Sequence, residues 1–226
     1  EVRRMGGGFG GKESQPTIIA AIAALLADQC RRPVKLRLRR DDDMVATGKR
    51  HDFLFKYEIG FDEHGRIESA VIDMAARSGN VADLSAGVVA RALCHGNNAY
   101  YIPNALFRGW PCKTNTVSNT AFRGFGGPQG MIAIETAIEH IAHDLGKSVD
   151  EIRAVNWYGT DDRNVTPYGQ RVTDNIMPEI VERLAREVGL DARRKAIDEF
   201  NASNDTLKKG IALMPVKFGI SFNAPM

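Results

Sequence analysis

Two short stretches of the chain can do chemistry through bare backbone. Gly6-Gly7-Gly8-Phe9-Gly10-Gly11, followed by Lys12 and Glu13, opens the sequence. Asn119-Thr120-Ala121-Phe122-Arg123-Gly124-Phe125-Gly126-Gly127-Pro128-Gln129-Gly130 lies near its middle. Glycines let the main chain turn through positive φ and come close to a ligand. Their N–H groups can then hold oxo or phosphate oxygens.

The first stretch admits three ligand readings. It fits GxGxxG, but a dinucleotide fingerprint needs a preceding strand and an acidic residue closing a second strand. Asp28 has the right spacing yet falls inside an expected helix. The stretch also fits a P-loop up to its last position, where Glu13 replaces the Ser or Thr that binds magnesium. A carboxylate there repels phosphate. The third reading is a backbone-amide cradle, with Lys12 adding positive charge. A tight turn without a ligand is the plain alternative. In the second stretch Phe125 sits between glycines, presented to stack on a flat ligand or simply to fill a core.

Other constellations are weaker. His140 and His143 lie one turn apart without the third ligand and base of a zinc site. No side-chain set is expected to ligate a metal directly. Cys30, Cys94 and Cys112 form neither a disulfide framework nor a CxxC site, and are expected to be buried cytosolic thiols. His95 follows Arg91 by one turn and is a candidate neighbour of the active site. No GxSxG elbow supports Ser-His-Asp catalysis.

The elements that must position these loops can be sketched from pattern. Ser14 and Pro16 mark the start of a helix whose apolar run, Ile18 to Leu26, predicts burial. Residues 33–39 alternate apolar and basic and predict a half-exposed strand; Arg39 to Asp43 reads as a solvated turn. Residues 53–61 and 67–76 predict a hairpin around Gly65. A helix is expected over 83–95, a strand over 105–116, and a helix from Met131 to Leu145 capped by Gly146. Helical patterns return at 148–157 and 176–200, and a last strand at about 210–222. The fold class is α+β: mixed short sheets with several long helices. We expect two portions, 1–118 and 119–226, divided near 116–120.

Composition limits the function classes. The chain has 226 residues, 43% hydrophobic and 26% charged, enough for a real core. Lys and Arg number 30 against 28 for Asp and Glu, so no basic face argues for nucleic acid. No run of 18 apolar residues argues for a membrane helix. The start at Glu1 and the apolar stretch from Ile211 to Met226 lead us to expect a piece of a longer protein, and the scattered thiols lead us to expect a cytoplasmic one.

MGGGFGGKE at 5–13, RALCH at 91–95, CKTN at 112–115, TAFRGFGGPQGM at 120–131 and KFGISF at 217–222 occur in this order along the chain. Together they resemble the molybdenum hydroxylases of the xanthine dehydrogenase type. The resemblance implies part of a molybdopterin-binding subunit. It places Gly8, Phe9 and Gly10 in one cofactor loop and Arg123 and Gly124 in a second. Glu13 and Arg91 would flank a purine, and Phe125 and Phe222 would sandwich its ring. Negative charge builds on the purine as oxygen is delivered to an electron-poor carbon, and Arg91 would stabilise it. Glu13 would hydrogen-bond the ring edge, helped by a raised pKa if buried. The substrates implied are hypoxanthine and xanthine. The catalytic glutamate base, the iron–sulfur (2Fe-2S) and FAD regions, and the part that selects NAD or oxygen would lie elsewhere in the parent. The piece alone is expected to be inactive and to lack the molybdenum cofactor.

Overall fold

The structure, a computed structural model, describes residues 4–220. After the first glycine loop comes α1 (Pro16–Cys30), then α2 (Arg40–Ala46), β1 (Phe53–Phe61) and β2 (Ile67–Gly79). Then follow α3 (Ser85–His95), β3 (Asn104–Lys113), α4 (Gly127–Leu145), α5 (Val149–Asn156), α6 (Met177–Val188) and α7 (Leu190–Ala202). The result is a mixed α/β chain with one three-stranded sheet in the order β1-β2-β3.

β1 and β2 are antiparallel, with Phe53 opposite Ala76, and turn at Asp62 to Gly65. Asp62 Oδ1 accepts the N–H groups of His64 and Arg66, which closes the turn. β3 runs parallel to β2, with Ile72 opposite Phe107. A parallel neighbour requires a crossover, and α3 supplies it. Along β2, Ala70, Ile72, Met74 and Ala76 alternate inward. Of these, Ala70, Ile72 and Met74 meet Ala92 of α3, Ile134, Ile138 and Ile141 of α4, and Ile152 of α5 in one core. The other sheet face is open, and there Arg108 pairs with Asp73 across β3 and β2 at 2.6 Å.

Local signals placed several elements correctly. Gly146 ends α4 in the left-handed conformation. Ser148 opens α5 with a capping box, its hydroxyl accepting the Glu151 N–H while the Glu151 carboxylate accepts the Ser148 N–H. α4 begins earlier than expected, at Gly127, so the last third of the second glycine stretch is helical. The pattern over 176–200 is two helices, because Gly189 turns to φ +60° and caps the first.

Other expectations fail for non-local reasons. α1 is a helix but buries none of its residues, and Ile18 is 72% exposed. Its apolar sequence calls for a cover that no described element provides. Ser14 does not cap it by side chain; its carbonyl accepts from Thr17 N, and the cap position is Gln15. Residues 33–39 have strand alternation but no strand partner among the described residues, so no ladder forms there. The expected turn at Arg39 to Asp43 is mostly the first turn of α2, where Asp41, Asp42 and Asp43 favour the positive helix end. Cys30 is exposed and Cys94 and Cys112 are half-buried, not fully buried thiols.

Residues 210–220 form no strand. They run as a strap whose backbone is bonded by side chains instead of by a neighbouring strand. Arg153 donates to Leu213 O, Asn98 donates to Pro215 O and accepts from Lys217 N, and His95 accepts from Gly219 N. Asn98 thus does with one amide what a ladder neighbour does with its backbone.

Candidate functional site

The fold brings the two glycine stretches face to face. A Cβ at Gly10 would strike the backbone of Ala121 and lie 2.6 Å from Phe122 Cα, so only a glycine permits this approach. The Arg123 guanidinium lies 5.9 Å from the Phe9 ring centroid. The two loops share one backbone device. Phe9 and Phe125 both adopt positive φ, +51° and +49°, each between glycines. A bulky residue in that region carries strain that surroundings must hold, and such strain gathers at ligand sites.

Support for the second loop is dense. Phe125 N–H donates to Phe122 O at 2.8 Å and Gly127 N–H to Gly124 O at 2.9 Å. Arg50 donates to Arg123 O at 2.6 Å and stacks over the Phe122 ring. The half-buried Phe125 ring points at Gly87 of α3. Gly126 and Gly130 let α4 press onto the carbonyls of Val88 and Ala92. The first loop has less. Lys12 Nζ donates to Gly7 O at 2.5 Å, and the Phe9 ring is 65% exposed.

Near the second loop three buried atoms have no hydrogen-bond partner among the described residues: Arg50 Nη1, Thr120 Oγ1 and Gln129 Oε1. Orphaned buried polar atoms cost free energy, so such a group suggests a missing partner. Burial also pushes the Arg50 guanidinium below its usual value, which an anionic ligand would reverse. Arg50 Nη1 and Thr120 Oγ1 can donate to a ligand oxygen, and Gln129 Oε1 can accept from a ligand N–H or O–H.

Arg91 lies buried on α3, one turn after Gly87. Its Nη1 donates to Gly219 O at 2.5 Å and its guanidinium lies over the Phe218 ring at 5.3 Å. Glu13 is exposed, not buried, and its carboxylate accepts from Lys12 N. No ion pair joins Glu13 to Arg91. The structure therefore joins Phe9 and Gly10 to the Arg123 loop, and Phe125 to the helix of Arg91, while Glu13 stands exposed beside Lys12. Phe222 lies outside the described residues. His140 is exposed and hydrogen-bonds Tyr57.

The sequence reading missed a buried network behind this wall. Glu135 of α4 accepts from Asn98 and Tyr100 on one oxygen, at 2.8 and 2.7 Å. On the other it accepts from Arg153 of α5, at 2.9 Å. Both charged side chains are only 4% exposed. Burial alone would lower the Arg153 guanidinium, but Tyr100 and Glu135 hold it above its usual value. Burial, then Glu135, pushes the Tyr100 hydroxyl up. On the strap, burial lowers the Lys217 ammonium to about 8. One signal was available: Glu135 falls among the inward residues of α4, and a carboxylate there requires a cationic or donor partner.

Residues 1–157 match the molybdopterin cofactor-binding domain family. The chain belongs to that family. It is 47% identical over 222 residues to the nicotinate hydroxylase of Emericella nidulans, covering 98% of this chain and 16% of the relative. It is 44% identical over 224 residues to the xanthine dehydrogenase/oxidase of Gallus gallus, covering 99% of this chain and 16% of the relative. The chain thus spans about a sixth of these relatives. Among solved structures, the aldehyde oxidoreductase from Desulfovibrio gigas superposes with a TM-score of 0.75 at 27% identity, over 89% of this chain and 21% of the other. Quinoline 2-oxidoreductase from Pseudomonas putida 86 superposes at 0.73 and 25%, over 88% and 26%.

Proposed function

We propose that this chain forms the substrate-facing wall and part of the cofactor cradle of a molybdenum hydroxylase of the xanthine dehydrogenase type. The reaction is the oxidative hydroxylation of a purine. A ring C–H becomes C–OH with oxygen from water, and two electrons and two protons leave. The observation that carries this reading is the facing pair of Gly-Phe-Gly turns, with unmet polar atoms beside the second.

Gly8, Phe9 and Gly10 on one side and Arg123 and Gly124 on the other hold the cofactor, with Arg50, Thr120 and Gln129 as additional polar partners. When bound, the molybdenum centre supplies the two-electron oxidation. Phe125, and Phe222 beyond the described residues, grip the flat ring by its faces. The Arg91 guanidinium offsets the negative charge that builds on the ring. Glu13, exposed here, hydrogen-bonds the ring edge once substrate and the rest of the subunit cover it. The general base, the iron–sulfur and FAD regions and the electron acceptor site belong to the rest of the parent. The protein works in the cytoplasm, with no nucleic-acid or membrane partner.

A second reading, an N-heteroaromatic acid as substrate, is favoured by the 47% identity to a nicotinate hydroxylase. Purified full-length enzyme assayed on xanthine and on nicotinate separates the two. Urate formation supports the purine reading, and turnover of nicotinate alone overturns it. In that enzyme Arg91→Met should cut purine turnover at least about a hundredfold, the loss from removing one donor that stabilises developing charge. Its effect on aldehydes should be smaller. Equal loss on both would sink the charge-stabilising role.

A further inference from the structure

One residue of the wall is fixed at every polar atom of its ring. His95 Nδ1 lies 2.8 Å from the carbonyl oxygen of Arg91, one turn earlier on α3. A carbonyl only accepts, so Nδ1 carries the proton. The other nitrogen, Nε2, lies 3.2 Å from the backbone nitrogen of Gly219, which only donates. Nε2 must therefore present its lone pair. The ring is the neutral Nδ1–H tautomer, set by two partners whose roles cannot reverse.

These two bonds join a third. Gly219 O accepts from Arg91 Nη1 at 2.5 Å. The three bonds close a cycle: Arg91 carbonyl to His95, His95 to the Gly219 N–H, Gly219 carbonyl to the Arg91 guanidinium. Phe218 wedges into it, its ring 5.0 Å from the His95 ring and 5.3 Å from the Arg91 guanidinium. The cycle ties α3 to the end of the strap, three residues before Phe222 in the sequence.

We infer that His95 is a positioning residue, which in its neutral form closes this cycle and so sets the Arg91 guanidinium and the end of the strap toward substrate. This rests on the role proposed above for Arg91. The geometry carries an acid-side consequence. Protonation puts an N–H on Nε2 against the N–H of Gly219, and one bond becomes a donor–donor clash. The charged groups facing the ring are Arg91 on its own helix and Lys217 on the strap, both cationic, and α4 meets it at the uncharged Gly127. Burial, with these cations, holds the His95 pKa below its usual value. The neutral form thus persists through neutral and mildly acidic pH, and the cycle opens as pH falls through the lowered value.

The test uses full-length, molybdenum-loaded enzyme with His95→Gln, His95→Phe and Arg91→Met. Glutamine can donate to Arg91 O and accept from Gly219 N–H, and it does not titrate. Phenylalanine keeps the ring against Phe218 and makes neither bond. Amide hydrogen exchange across 213–219 at neutral pH should rise roughly tenfold in H95F, the scale of one lost buried hydrogen bond, and stay near wild type in H95Q. Purine kcat should fall in H95F and recover in H95Q. The acid-side decline of kcat/KM expected as pH falls through the lowered histidine pKa should be present in wild type and absent in H95Q. Wild-type exchange in H95F, or an unchanged acid decline in H95Q, overturns the inference. If R91M leaves purine turnover intact, the proposed role of Arg91 fails instead, and the exchange measurement still decides whether the cycle exists.

Discussion

The two glycine loops share one backbone device and differ in support. Each centres on a phenylalanine at positive φ between glycines. The second loop runs directly into α4, is bonded by Arg50, and is pinned where Gly126 and Gly130 meet the carbonyls of α3. The first is held by its own Lys12 and by contact with Ala121 and Phe122 of the second. It leads into α1, which buries nothing among the described residues. The difference teaches that the cradle is asymmetric. One wall is a rigid platform built by the sheet and α3, and the other is shaped by leaning on it.

The largest break in this comparison comes from Gly126→Ala. The residue has φ +96°, and an added methyl lands on Val88 O, backbone that cannot swing aside. Left-handed strain and overpacking together should cost about 3–5 kcal/mol. The urea midpoint should fall accordingly, and α4 with it, since Gly126 is its N-cap. A loss under about 1 kcal/mol would show that the second loop is not the platform.

Gly10→Ala should cost less, about 1–2 kcal/mol. Its φ is +84° and its clash is with the backbone of Ala121 and Phe122, but the first loop can retreat from that contact. The retreat is measurable by limited trypsin digestion. Cleavage after Lys12 should quicken while cleavage after Arg123 stays slow. Equal quickening at both sites would mean that the two loops order as one unit.

How much of this was legible in the sequence follows from the range of each interaction. The hairpin at Gly65, the cap at Gly146 and the capping box at Ser148 use bonds within five residues, so residue type announces them. The glycine stretches were legible as places of bare backbone, and the motif resemblance paired them. Burial of α1 was not legible, because burial depends on what packs against a helix. The strap was not legible either. Its backbone satisfies itself on Asn98, more than 100 residues earlier, and no local pattern at 210–220 distinguishes that from a strand. Glu135 and Arg153 were individually visible as charges, but their pairing exists only after α4 and α5 dock.

The smallest expected effect on folding is the sharpest test of the cradle. Gly8 has no heavy atom within 4 Å of where a Cβ would stand, and its φ is not in the left-handed region. Alanine should therefore change the urea midpoint by no more than about 0.5 kcal/mol equivalent. The open space beside Gly8 is, on the proposed reading, where the cofactor approaches bare backbone, and a methyl group there blocks it. Gly8→Ala in the full-length enzyme should fold as wild type yet retain less molybdenum, read by metal analysis of the purified protein. Gly126→Ala loses both properties together, because its fold fails first. If Gly8→Ala keeps both stability and full molybdenum content, the first loop is only a turn resting on the second. The cradle would then be the platform alone.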